Sequence, residues 1–298
     1  MLRAFKKNLP SRNTCIFLGT ISAFAGIKQY DNYVSHKRLE EIKLKLKPLA
    51  DRPMAVTELP DKYIVFLHSP EDSYEASYKA TEYFIKYVKP VWDAAAIDYE
   101  VVTEKDGGEI QKYAFKELKK LRSDPQPTKT DSTSLLPELE SPVLGWVALG
   151  HEAYGKLLMG IQDGASVANL SFEPTIEEKP DYIAARHFGS LIPEEQRLGG
   201  LQVPTTTPSI GYIQFHHYYG YRYIPLRFYK WLTSRNFVEK VGTDAMELLL
   251  LEPQPLKLPS DFINKALLDF RITDLDTFAL RLLSASLSDK LKLLGKKE

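Results

Sequence analysis

Residues 143–161 read VLGWVALGHEAYGKLLMGI, and this stretch predicts the fold. Residues 143–149 have the length and the apolar composition of a buried strand, and Gly150 ends that strand. Residues 152–161 then repeat apolar side chains at helical spacing. A strand that leads directly into a helix is one step of a βαβ arrangement, in which the strands run parallel.

Two similar steps precede this one along the chain. Residues 63–67 (YIVFL) form a predicted strand, followed by a predicted helix at 72–89 that Pro90 is expected to interrupt. Residues 99–103 (YEVVT) form another predicted strand, followed by a predicted helix at 110–121. Because parallel strands need crossover connections, we predict an α/β fold with a Rossmann-like sheet of right-handed βαβ units.

The C-terminal half is expected to be an irregular α+β part that ends in helices. Residues 210–223 form an aromatic segment that glycines should bend, and 226–241 read as a helix. Residues 245–251 predict a further apolar helix or strand. Two closing helices follow, with Ser260 and Thr273 as their N-terminal caps.

The N-terminal segment predicts a membrane anchor. Residues 14–27 (TCIFLGTISAFAGI) hold no charged side chain, and basic residues but no acids precede Asp31. Fourteen helical residues span about 21 Å against a hydrocarbon core of roughly 30 Å, so Lys28 would have to snorkel and the bilayer to thin. The expected anchor side chains are Thr14, Ile16, Phe17, Leu18, Ile21, Phe24 and Ile27.

Two other interpretations of this segment stay open, namely a cleaved secretory signal and a buried core helix. The pattern Ala23-Phe24-Ala25 resembles a signal cleavage site, although it lies within the apolar run. N-terminal cations without acids also fit a mitochondrial targeting address. Basic residues flank both ends of the segment, so the charges alone leave its orientation open.

The composition and the isolated motifs exclude several kinds of site. Lys and Arg equal Asp and Glu at 39 each, which argues against a nucleic-acid partner. Cys15 is the single cysteine, so neither a disulfide nor a thiolate metal cluster can form within the chain. His216 and His217 would point to opposite faces of a strand. We therefore expect no bound metal and no cofactor.

Catalysis would be expected where the strands end, because ligands bind beyond the carboxyl ends of parallel strands. Those ends carry His68-Ser69-Pro70, Thr103-Glu104 and Gly150-His151-Glu152. The arrangement resembles the first lobe of diacylglycerol kinases and related lipid kinases. A phosphate-binding loop needs several glycines, however, and residues 149–153 contain one. We therefore expect no catalytic residues, with a degenerate lipid or nucleotide kinase-like enzyme as the alternative.

An aromatic and basic segment, residues 218–235 (YYGYRYIPLRFYKWLTSR), predicts a surface for protein docking. Tyr, Trp and Arg are enriched at such interfaces. The candidate partner-binding residues are Tyr218, Tyr221, Arg222, Arg227, Tyr229 and Trp231.

Several short sequence segments resemble those of the Tim54 family, whose members are subunits of the mitochondrial inner-membrane carrier translocase. The order and the spacing of these segments carry the resemblance. It covers most of the chain and is least specific after about residue 240. The segments are 9–13 (LPSRN), 62–66 (KYIVF), 74–77 (YEAS), 87–91 (YVKPV), 97–102 (IDYEVV), 148–150 (ALG) with Tyr154, and 225–229 (PLRFY) with Phe237.

This resemblance implies a single-pass inner-membrane protein with its N-terminus in the matrix and its main domain in the intermembrane space. It implies a scaffold and docking role in the translocase that inserts multispanning carrier proteins, without catalytic residues. The implied partners are the other translocase subunits, small Tim chaperones, the intermembrane-space-facing AAA protease and inner-membrane lipid.

With that resemblance, the expected division of the chain has five parts. They are a basic matrix-side segment at 1–13, a transmembrane anchor at 14–34, an amphipathic linker helix at 35–59, a Rossmann-like subdomain at 60–165, and an irregular α+β subdomain at 166–298.

Overall fold

One long helix, α1, begins the described part of the chain and runs over Arg12–Ala50 in the computed structural model. Ser11 caps it, because its hydroxyl accepts a hydrogen bond from the Thr14 N–H. The structure describes residues 11–53, 60, 62–68, 80–104, 108–123, 143–172, 191–198, 200–215, 221–250, 254–255, 287 and 291–293. The helix is continuous across the boundary between the predicted anchor and the predicted linker helix.

The two halves of α1 differ in what surrounds them. The side chains predicted to form the anchor are exposed in the first half, as in the cases of Phe17 and Ile21, whereas Ile42 and Leu46 in the second half are buried in the core. Among the described helices, none contains a stretch that is long and apolar enough to cross a membrane.

Four parallel strands form the centre of a sheet with the order β2-β1-β3-β4. This arrangement confirms the predicted parallel α/β sheet. Two short strands extend it beyond β4, where β6 pairs parallel with β4 and β5 pairs antiparallel with β6. The strands are β1 Lys62–His68, β2 Asp98–Glu104, β3 Val143–Leu149, β4 Ser209–Ile213, β5 Gln254–Pro255 and β6 Lys292–Leu293.

Helices cover both faces of the sheet. On one face α3 (Glu109–Ser123) and α4 (His151–Ser166) pack against β1 side chains such as Phe66. On the other face the second half of α1 packs against β1 side chains such as Val65, together with α2 (Lys89–Ala94) and α6 (Ser234–Leu250). Because the central strands are buried on both faces, they read as continuous apolar runs rather than as alternating ones.

A π-helical turn, Phe84–Val88, corrects the expectation that Pro90 interrupts the helix after β1. The Lys89 N–H donates to the Phe84 carbonyl, five residues back, and Pro90 then lies in the first turn of α2, where a missing N–H is tolerated. The wide turn also places Phe84 in the core and leaves Ile85 exposed. Residues 72–79 of the predicted helix lie outside the described residues.

Two predicted helix bounds in the C-terminal half are wrong. The helix predicted at 226–241 is two helices, α5 (Ile224–Leu232) and α6, and the element predicted at 245–251 is the end of α6. Thr233 separates them, because its backbone leaves the helical range at φ −121° and ψ 37° while its hydroxyl donates to the Tyr229 carbonyl.

Gly211 does not bend the aromatic segment either. It lies within β4, where an added Cβ would be 3.0 Å from atoms of Leu248 and Val147. This glycine therefore lets α6 approach the sheet closely. Outside the described residues lie Gly220, both predicted closing helices, and the pair His216 and His217.

Candidate functional site

The carboxyl ends of the first two strands and the start of α4 meet at one edge of the sheet. β1 ends at His68, β2 ends at Glu104, and Gly150 joins β3 to α4. The chain passes from β1 outward to β2 and then returns to β3 on the other side of β1. This is the topological switch point at which open α/β sheets bind ligands.

Four charged side chains fill this edge and form what we call the polar cluster, His68, Glu104, Glu152 and Lys156. His68 Nδ1 lies 2.6 Å from a Glu104 carboxylate oxygen, and His68 Nε2 lies 3.0 Å from Glu152. Lys156 Nζ, one turn into α4, lies 2.9 Å from the other Glu104 oxygen. The backbone N–H of Gly108 also donates to Glu104.

The polar cluster stabilises its own charges. Burial by itself would raise the pKa of Glu104, but the hydrogen bond to His68 and the Lys156 ammonium outweigh it and lower the pKa to about 2. For Glu152 as well, burial is outweighed, chiefly by His68, and its pKa is lowered. Burial would lower the pKa of His68, yet its two carboxylate partners raise it. Two carboxylates thus face an ammonium and an imidazole that favours protonation.

This arrangement leaves no phosphate cradle at the start of α4. Gly150 has a φ of +86°, and an added Cβ there would lie 3.3 Å from the Phe215 side chain. The first turn of α4 carries Glu152, whose negative charge would repel a phosphate at this helix N-terminus. The kinase-like alternative therefore gains no support.

Lys156 occupies the position in the polar cluster where a metal ion would contact Glu104. Its ammonium lies against Glu104, where a cation would otherwise be held. In the part of the chain that the structure describes, no group of three or more His, Cys, Asp or Glu side chains could hold a metal ion.

The candidate partner-binding residues form a second, separate feature. Tyr221 and Arg222 lie on a short 3₁₀ turn, Tyr221–Tyr223, and the turn leads into α5, which carries the others. Tyr221 is 92% exposed and Tyr229 is 60% exposed. The structure thus brings together all but one of the predicted residues, and Tyr218 lies outside the described residues.

Helix α5 lies beside the end of the apolar half of α1. The Phe228 ring meets the Phe24 ring edge-on, with 5.8 Å between their centroids. Lys28 Nζ lies 5.3 Å from the centroid of the Trp231 ring and donates to the Trp231 carbonyl at 2.6 Å. The predicted anchor and the predicted docking segment are therefore neighbours.

A buried carboxylate, Asp31, joins α1 to the start of α6. Its oxygens accept hydrogen bonds from the backbone N–H groups of Ser234 and Arg235 at 3.0 and 3.1 Å, and from Lys28 Nζ at 3.1 Å. The Ser234 hydroxyl also donates a hydrogen bond to the Asp31 carboxylate. Asp31 thus caps α6 from a different helix, in the manner of an N-cap.

Sequence reasoning named His68, Glu104 and Glu152 as strand-end residues and missed Lys156 and the role of Asp31. No sequence signal marks Lys156, because its partner is 52 residues away and lies on a different element. A weak signal existed for Asp31, which is the first acid of the chain and follows Lys28 by three residues.

Together these features define an α/β protein with a cluster of paired charges at the carboxyl edge of its sheet and an exposed aromatic helix beside a long N-terminal helix. Residues 1–144 match the family described as inner membrane protein import complex subunit Tim54. The chain is thus similar to the Tim54 family over its N-terminal part, slightly less than half of its length.

Relatives from several fungi agree with this assignment. A mitochondrial import inner membrane translocase subunit tim54 of Schizosaccharomyces pombe is 32% identical over 170 residues, which are 56% of this chain and 48% of that protein. The subunit of the same name in Saccharomyces cerevisiae is 36% identical over 128 residues, 41% of this chain and 26% of that protein. The Aspergillus oryzae subunit is 24% identical over 305 residues, 83% of this chain and 66% of that protein. The chain thus spans about half the length, or less, of the first two relatives.

Proposed function

We propose that this protein is a scaffold and docking subunit of the mitochondrial inner-membrane translocase that inserts multispanning carrier proteins. The observation that carries this proposal is the Tim54 family match over residues 1–144, shared with relatives that are named as translocase subunits. The matched residues include the whole of α1 and the first two strands, which are the parts that connect the apolar segment to the domain.

The proposed topology is a single-pass inner-membrane protein with its main domain in the intermembrane space. Residues 14–34 are the proposed anchor, and residues 1–13 lie on the matrix side. The uncharged segment 14–27 supports this assignment, because its large apolar side chains are exposed on α1 and would be stabilised by lipid. The linker part of the same helix buries Ile42 and Leu46 in the core, so the domain would be rigidly attached to its anchor.

The proposed role does not involve catalysis. The ligand edge of the sheet is filled by the polar cluster, in which Glu104 is 1% exposed and contacts both His68 and Lys156. A site in which each charge already faces an opposite charge of the chain serves to hold strand ends in place. Within the proposal, residues 60–165 and 166–298 are the two parts of the main domain, and they share one sheet through β3 and β4.

Docking is proposed to involve other subunits of the translocase, small Tim chaperones and the intermembrane-space-facing AAA protease. The candidate docking side chains are those on the Tyr221–Tyr223 turn and on the side of α5 that carries Tyr229. Exposed Tyr and Arg side chains of this kind favour protein contacts. The zero formal net charge gives no support to a nucleic-acid partner.

Affinity purification from mitochondria tests the scaffold role. The tagged chain, expressed in fungal mitochondria and solubilised in mild detergent, should recover other translocase subunits, whereas an unrelated tagged inner-membrane protein should not. Recovery of none of these subunits would rule out the proposed role.

A matched pair of variants tests the docking residues. The double variant Tyr221→Ala, Tyr229→Ala should reduce recovery of the partners, because interface Tyr side chains contribute much of the binding energy. Leu44→Ala removes an exposed apolar side chain from the linker half of α1, outside the proposed anchor, and should leave recovery unchanged. Equal recovery with both variants would exclude this surface.

Protease protection tests the topology. The domain should resist added protease in intact mitochondria and be cleaved once the outer membrane is ruptured. Resistance after rupture would place the domain in the matrix and contradict the proposed orientation.

A further inference from the structure

One face of α5 is apolar and only half covered by the protein. Ile224, Phe228 and Trp231 are four and three residues apart, so they share one side of the helix. Their exposed fractions are 52%, 46% and 51%. Adjoining exposed apolar side chains of this size mark an interaction surface.

This apolar face continues directly onto α1. Phe228 contacts Phe24, and Ile21 and Phe17 follow one and two turns nearer the N-terminus, with exposed fractions of 49% and 61%. These α1 side chains belong to the uncharged segment that we propose to enter the bilayer. The exposed apolar side chains of α1 and α5 therefore form one continuous surface, and a partner that covers the α1 part would also contact α5.

The charges around α5 indicate which kind of partner fits this surface. Residues 221–238 contain basic side chains but no acid, and Arg227 flanks Trp231 on α5. The Lys28 ammonium lies over the Trp231 ring, at the end of the uncharged segment. Trp and Tyr beside Lys and Arg, at the end of an apolar helix, is the composition of a membrane–water interface with anionic headgroups.

We propose that α5 lies in the plane of the inner-membrane surface, with Ile224, Phe228 and Trp231 in the boundary between headgroups and acyl chains. Arg222 and Arg227 then meet anionic headgroups, and Tyr229, about 100° around the helix axis from Phe228, stays available to proteins. The inference rests on the proposed anchor, since it needs α1 to bring α5 to the bilayer.

The junction at Asp31 gives this contact a structural consequence. Asp31 on α1 accepts hydrogen bonds from the first turn of α6, and Lys28 donates to the Trp231 carbonyl near the end of α5. These bonds connect α5 and α6 to the proposed anchor. A bilayer contact along α5 therefore fixes the height and the tilt of the domain above the membrane.

Tryptophan quenching by brominated lipids tests the proposal with the intact chain. The protein has three Trp residues, of which Trp92 and Trp146 are buried in the core and Trp231 is half exposed. The chain is reconstituted into vesicles of phosphatidylcholine and cardiolipin whose acyl chains carry bromine at a shallow or a deep position. Trp231→Phe supplies the baseline of the two buried residues, and vesicle flotation reports the anchor separately.

We expect shallow bromine to quench Trp231 more strongly than deep bromine, and Trp231→Phe to remove the quenched component. Phe228→Asp should lower the ratio of quenched to unquenched Trp231 emission roughly tenfold, because it removes the burial of a Phe side chain. Ile85→Asp changes a similarly exposed apolar side chain outside this surface and should leave quenching unchanged.

Other outcomes would overturn the inference in distinguishable ways. Flotation without quenching of Trp231 would leave the anchor standing and reject the contact of α5 with lipid. Failure to float would reject the anchor and this inference together. A photoreactive amino acid at position 228 in isolated mitochondria should give lipid adducts, and adducts with a protein subunit instead would show that a protein covers this face.

Discussion

Replacing Glu104 by glutamine tests the polar cluster most directly. Gln keeps the shape of the side chain and removes its charge, so it imitates the protonated carboxyl. The pKa of Glu104 is about 2 in the folded protein against an ordinary 4.5. At about 1.36 kcal/mol per pKa unit, Glu104→Gln should lower the free energy of unfolding by about 3 kcal/mol at pH 6.

The pH dependence gives this prediction its sign. Because the folded-state pKa of Glu104 is lowered, its stabilisation is present above about pH 4.5 and is lost as the pH falls towards 2. The pKa of His68 is raised, so its stabilisation is full below about pH 6.5 and is lost as the pH rises through the raised value. The difference between the two proteins should therefore be largest between about pH 4.5 and 6.5.

Urea unfolding in detergent, followed by the fluorescence of the buried Trp92 and Trp146, measures this difference. Glu100→Gln is the matched control, since Glu100 lies on the same strand in an exposed ion pair with Lys62. Its expected cost is below about 1 kcal/mol. Equal costs for Glu104→Gln and Glu100→Gln at pH 6 would refute the reasoning about the polar cluster.

Three further changes have definite expected outcomes. Gly160→Ala should lower the free energy of unfolding by about 1–3 kcal/mol, because an added Cβ would collide with the backbone carbonyl of Gln111 across the α3–α4 contact. Asp31→Asn should cost about 1–2 kcal/mol and speed hydrogen exchange in the first turn of α6, because that turn loses its charged cap. Lys156→Met should raise the pH of the acid-unfolding midpoint, since the pKa of Glu104 then moves back towards its ordinary value.

Each of these changes has its own control. Gly200→Ala adds a Cβ where no atom lies within 4 Å and should be nearly neutral. Asp51→Asn, just after α1, should leave exchange in α6 unchanged. Lys116→Met removes an exposed lysine from α3 and should not move the acid midpoint. A control that behaves like its partner variant would contradict the corresponding account.

The sheet could be predicted from the sequence because its strands are short apolar runs separated by helical patterns. The strand predicted at 143–149 matches the observed β3, and the one predicted at 63–67 differs from β1 by one residue at each end. The helix bounds near Pro90 and Thr233 were not predictable in the same way. They depend on a π-helical turn and on a side chain that bonds back to the chain, and apolar periodicity does not report either feature.

The candidate site was predictable only in part. Topology brings the carboxyl ends of parallel strands together, so His68, Glu104 and Glu152 could be expected at one edge. Whether the charges at that edge are neutralised within the chain depended on Lys156, whose position relative to Glu104 follows from how α4 packs over β1 and β3.

The sequence by itself determined what local pattern can encode, namely the order of the first three strands and their helices, the uncharged N-terminal segment and the similarity to the Tim54 family. The tertiary structure decided which charges meet. Glu104 and Lys156 are 52 residues apart, and Asp31 and Ser234 are 203 residues apart. Pairing over such separations depends on strand order and helix packing, because these interactions form only when the folded chain holds both partners in place.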